Sequence, residues 1–117
     1  MAYAHDHNYI ERYAILGSLE HGVKEASALH ARASTELQRA QTLVDEAELE
    51  RLERVRRGDG PDAVAAVQHV LEHRTSVRDD WTRKVAAATQ FVGEYRSLRL
   101  EMERQVDAID LERLGRA

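Results

Sequence analysis

Arg57-Gly58-Asp59-Gly60-Pro61 is the one clear break in a chain that otherwise reads as helix, and its reading decides the fold. Gly58 suits the left-handed residue that closes a helix, because it has no Cβ to clash there. Pro61 suits the first turn of the next helix, where its missing amide costs nothing. Working outward, the sequence predicts a helix over about 8–57, a turn at 58–61 and a second helix over about 62–113. Asn8 is the expected N-cap of the first helix, with Glu11 in capping-box position. Acid-before-base pairs at i,i+4 support the outer faces: Glu20–Lys24, Glu50–Arg54, Glu53–Arg57, Asp79–Arg83, Asp80–Lys84 and Glu112–Arg116. Gly17 and Gly22 bracket His21 and mark a place where the first helix is open to a kink or break, since each glycine costs about 1 kcal/mol against alanine.

The apolar period on both sides of the turn is close to 3.5, the repeat of a coiled coil. In the first segment the a positions run Tyr9, Leu16, Val23, His30, Leu37, Val44, Arg51, and the d positions include Ala26, Ala33, Ala40 and Ala47. In the second segment a falls on Val64, Leu71, Arg78, Val85, Val92, Arg99, Val106, and d on Val67, Arg74, Trp81, Ala88, Tyr95, Met102, Ile109. A short turn makes the helices antiparallel, so facing residue numbers have a constant total. Leu37 with Trp81, His30 with Ala88, Val23 with Tyr95 and Leu16 with Met102 all total 118, centred on Asp59 inside the turn. The expected fold is all-α: a single domain, residues 1–117, forming a long antiparallel two-helix coiled-coil hairpin. The alanine d positions allow close approach of the helices.

The two flanks of that seam differ. The e positions are mostly Ser, Thr, Gln and charged residues. The g positions include Ile15, Leu29, Leu43, Val70, Val77, Phe91 and Leu98, a band of large apolar side chains that a lone hairpin leaves wet. Such a band usually marks an interface, and these seven residues are the candidate partner or dimer surface. Two hairpins joined through it would make a four-helix bundle; cover by a helical partner, or by an N-terminal segment broken off near residues 17–22, is the alternative.

Composition narrows the classes. With 43% hydrophobic and 32% charged residues, the chain is too apolar for a disordered tail and too charged for a membrane span. The N-terminus lacks the basic stretch and apolar core of a signal peptide, so a cytoplasmic location is expected. The formal charge of −4 is evenly spread, with nine acids and eight bases over 8–57 and ten acids and nine bases over 61–117. No basic stripe speaks for nucleic acid. There is no cysteine, which excludes disulfides and thiolate chemistry.

His69-Val70-Leu71-Glu72-His73 resembles the His-x-x-Glu-His motif of the inverted zincin metallopeptidases, where two histidines one turn apart hold zinc and the glutamate acts as base. That resemblance implies a further acidic ligand well downstream in a much larger α/β domain, and little chain follows His73. His69 and His73 are therefore candidate ligands for a loosely held cation at most, and no metal, cofactor or catalytic residue is assigned. His30 is a polar core position that either sets register or reaches solvent past Ala88. Arg74, Arg78 and Arg99 are expected to snorkel, with Asp45 or Glu48 as partners for Arg74. His5 and His7 lie in an N-terminal segment with no metal signal. Arg57-Gly58-Asp59 matches a cell-adhesion tripeptide, but the turn itself requires those residues. In length and hairpin form the chain is similar to the small substrates of type VII secretion, yet it lacks their Trp-x-Gly turn and C-terminal Tyr-x-x-x-Asp/Glu. The expected function is a non-enzymatic, self-associating assembly, scaffold or adaptor protein, viral structural or bacterial, acting through protein–protein contacts with itself or a helical partner. The alternative is a small-molecule- or metal-responsive regulator on the same bundle.

Overall fold

The computed structural model describes residues 2–116, with side chains from residue 9 onward. Two helices make up the fold, α1 over Ala2–Arg56 and α2 over Pro61–Arg116, and they pack against one another. The turn between them is a Schellman closure. Gly58 has φ +73°, and its amide donates to the Val55 carbonyl at 3.1 Å, while the Asp59 amide reaches back to Arg54 at 3.0 Å. These two bonds satisfy carbonyls that the end of α1 would otherwise leave unpaired. Pro61 opens α2, and the first bond of that helix runs from Val64 N–H to the Gly60 carbonyl at 3.2 Å. The Asp59 carboxylate sits 3.9 Å from Arg54 and 3.8 Å from Arg57, facing back onto α1.

One expectation about α1 is corrected, and the alternative of a break within it falls away. The helix starts at Ala2, so Asn8 lies inside it rather than at its cap; nothing in the upstream run of Ala, Tyr, His and Asp stops a helix from extending. The helix also continues without a break through Gly17 and Gly22. The side chains of His5 and His7 fall outside the described residues.

Contacts divide the chain into two compact units, each holding a segment of both helices. The turn-side unit spans residues 30–88, and the open-end unit joins the residues up to 29 with those from 89. In the turn-side unit, Ala33, Ala40, Val44, Ala47 and Val67 are buried. Arg74 Nη1 donates to the Leu43 carbonyl at 2.8 Å, and Arg78 Nη1 donates to Gln41 Oε1 at 3.2 Å. In the open-end unit, Val23, Ala26, Val106 and Ile109 are buried, and Arg12 Nε donates to Gln105 Oε1 at 2.9 Å. The numbers of each of these linked pairs total within one of 118, so each unit keeps the antiparallel register.

All nine residues that are buried among those described occupy a or d positions. Every other a and d position from Tyr9 to Ile109 is half-buried, with the single exception of Tyr95. A glycine explains that exception: a Cβ at Gly22 would stand 2.7 Å from Tyr95 Cε1, so the ring lies across the space a side chain would take. Tyr95 thereby leans out of the seam toward the g flank and stays 38% exposed.

Candidate interaction surface

The core is built from small residues. Among the described residues no large side chain is fully buried, and four of the nine buried residues are alanines. Close helix approach follows from that alanine run, but little apolar area is removed from water per residue ordered. Burying a Leu, Val or Phe stabilises by roughly 1.5–3 kcal/mol, against a backbone ordering cost of about 1–2 kcal/mol per residue. Leu16, Leu37, Leu71 and Trp81 reach only half-burial in the seam, and many of the other large apolar side chains lie outside it.

The g positions carry them. In the open-end unit Ile15, Leu29, Phe91 and Leu98 are exposed, Phe91 to 57%. In the turn-side unit Leu43, Val70 and Val77 are exposed. Ile15 also borders an open depression with Leu19, Gly22 and Tyr95, rimmed by Glu11 and Glu25. The leaning Tyr95 ring thus adds an aromatic wall to the apolar flank, a contribution not visible from its d position in the sequence. Leu49, Leu52 and Val55 form a further exposed apolar strip on α1 just before the turn. Their three-residue spacing was the available signal, but it falls at f, b and e positions and so lies outside a heptad reading.

Charges on the g flank of the turn-side unit are held in pairs along each helix. Arg39 Nη1 lies 2.7 Å from Glu36 Oε1 on α1. Lys84 Nζ lies 3.1 Å from Asp80 on α2 and 4.5 Å from the centre of the Trp81 ring, with Arg83 also 3.3 Å from Asp80. Hydrogen bonding and charge from Lys84, joined by Arg83, hold the Asp80 carboxyl below its ordinary range.

The other expected side-chain roles resolve as follows. Arg74 bonds the Leu43 carbonyl rather than Asp45 or Glu48; Asp45 instead accepts from Gln41 Nε2 at 2.9 Å. A carbonyl already in a helix keeps a second lone pair, and it lies closer to the seam than the carboxylates do. Of the i,i+4 pairs, Glu50–Arg54, Asp80–Lys84 and Glu112–Arg116 form at 3.2, 3.1 and 2.7 Å. Arg57 turns to Asp59 and Arg83 to Asp80. His30 is half-buried. His69 and His73 are exposed on the outer face of α2, with His69 Nδ1 3.8 Å from Glu72. Among the described residues no three His, Asp or Glu side chains come together in a way that could hold a metal ion. No described helix is long and apolar enough to cross a membrane.

Compared with known proteins, the chain matches no family model, no curated protein and no solved structure.

Proposed function

We propose that this protein is a non-enzymatic, self-associating helical assembly component, a scaffold or adaptor, whose working surface is the apolar g flank of its hairpin. One observation carries the reading: the seam buries mainly alanine and valine, while Ile15, Leu29, Leu43, Val70, Val77, Phe91 and Leu98 all stand exposed at one heptad position. Surface of that kind is usually covered in the working state of a protein. A second hairpin laid on it would complete a four-helix bundle and place large side chains in a core that otherwise has few. The rim polarity and the even charge balance suit a protein partner better than a phosphate backbone.

The test is to place a charge in the band, as Val77→Glu and Phe91→Glu, and to follow mass and helicity together. The reading expects the variants to lose association while keeping their helical circular dichroism at concentrations where the monomer is folded. Variants that associate as strongly as the parent chain would contradict it.

A further inference from the structure

We infer that two copies of this chain pair turn beside turn, related by a two-fold axis parallel to the helices, and that Glu36, Arg39, Asp80 and Lys84 select this orientation. The inference rests on the self-association reading above and specifies its geometry.

The argument concerns the turn-side unit. Distance along a helix from the turn can be counted in residues from Asp59, at about 1.5 Å each. On α1, Glu36 lies 23 residues before Asp59 and Arg39 lies 20 before it. On α2, Lys84 lies 25 residues after Asp59 and Asp80 lies 21 after it. Glu36 and Lys84 are g positions; Arg39 and Asp80 are the neighbouring c positions on the same outer side. All four remain partly or largely exposed, and each helix already orients its own pair, at 2.7 Å and 3.1 Å.

A face-to-face symmetric dimer has two choices. With the axis parallel to the helices, α1 lies over the partner copy's α2 and equal levels meet. Glu36 then meets the second copy's Lys84, and Arg39 meets its Asp80, each within about 3 Å along the axis. Leu43 and Val77, 16 and 18 residues from Asp59, meet between the two copies in the same way. All four charges find opposite charges, and the arrangement repeats across the axis. Glu36 is also about 3 Å along the axis from the second copy's Asp80, but that carboxylate stands at a c position, beside Arg39 rather than directly against the g position of Glu36.

With the axis perpendicular to the helices, α1 lies over α1 and α2 over α2, each running antiparallel. The offset that sets Glu36 against the other copy's Arg39 brings the two Asp80 carboxylates level with each other. The offset that sets Lys84 against the other copy's Asp80 brings the two Glu36 carboxylates level. An offset between these two brings both opposite pairs within about 3 Å along the axis. It also sets the two Glu36 side chains, both at g, directly against each other, and like charges at an interface are costly enough to choose between orientations.

Because the chain has no cysteine, the orientation can be read directly. Asp62→Cys, exposed in the first turn of α2, is labelled with a nitroxide and the label-to-label distance is measured by pulsed dipolar spectroscopy, with mass measured on the same sample. Turn-beside-turn pairing gives a dimer with labels roughly 20–30 Å apart, set by the two α2 helices on the diagonal of the bundle, about 11–14 Å apart when neighbouring helices are at 8–10 Å, plus the label arms. A dimer with labels beyond about 50 Å overturns the orientation and leaves self-association standing. A monomeric mass at all concentrations overturns both. In parallel, Glu36→Lys should weaken dimerisation by about tenfold or more through apposed lysines, and adding Lys84→Glu to the same chain should restore most of that loss. Failure of the second change to restore binding, with helicity intact, also overturns the orientation.

Discussion

Single residues decide where this hairpin's large side chains lie. Gly17 and Gly22 look alike in the sequence, yet only Gly22 has a neighbour where a Cβ would be. Gly17→Ala should therefore stabilise the fold by about 0.5–1 kcal/mol, the ordinary gain from removing a helix glycine. Gly22→Ala should fall short of that because the Tyr95 ring must move. Urea unfolding of both variants at one fixed protein concentration checks the contrast; equal gains would show that the ring does not occupy the glycine's space. Tyr9 offers a second residue-level test. Partial burial, the charge of Asp110 and a hydrogen bond to it raise the phenol above its ordinary 10.0, and the Arg113 guanidinium, 4.7 Å from the ring, opposes them. Since the folded chain holds this proton more tightly, the contribution is complete below pH about 10 and is lost as pH rises through the raised value. In a phenolate absorbance titration, Asp110→Asn should bring the Tyr9 phenol back toward ordinary behaviour; an unchanged titration would rule out the Asp110 contribution.

At the scale of elements, the turn holds the register. Gly58 is left-handed and closes α1 through paired amides, so Gly58→Ala should cost about 1–2 kcal/mol. Gly60 has open space around it and no such backbone, so Gly60→Ala should cost clearly less. Chemical denaturation of the two separates them, and equal losses would contradict the closure described. The turn and the register were legible in the sequence for a physical reason: Gly58 and Pro61 each tolerate only a few backbone states, and a 3.5 repeat read on two helices has to agree about one turn. The start of α1 was not legible, because the capping signal at Asn8 competes with upstream residues that extend a helix equally well. The continuity of α1 through Gly17 and Gly22 has an energetic reason: a local cost of about 1 kcal/mol for each glycine is small beside a long helix held by its neighbour. The partner of Arg74 was missed because a charge pattern reveals carboxylates and is silent about backbone carbonyls. The exposed g flank was legible from the heptads, while the lean of Tyr95 into it depended on a contact between helices.

For the molecule as a whole, the central fact is where the apolar residues lie. Four alanines, four valines and Ile109 are buried, while sixteen apolar residues of valine size or larger are exposed among the described residues, seven of them at g positions. That ratio is the opposite of a completed helical core, and it explains why the flank, rather than a histidine pair or a pocket, carries the functional reading. On the proposed reading, apparent stability should depend on protein concentration, since a folded state completed by a second copy gains from mass action. The most direct measurement is the mass of the unmodified chain by sedimentation over a wide concentration range, with helicity recorded alongside. The account predicts a shift from 13.3 kDa toward twice that mass, accompanied by rising thermal stability. A fully helical 13.3 kDa monomer at the highest concentration, with an unchanging melting temperature, would contradict it.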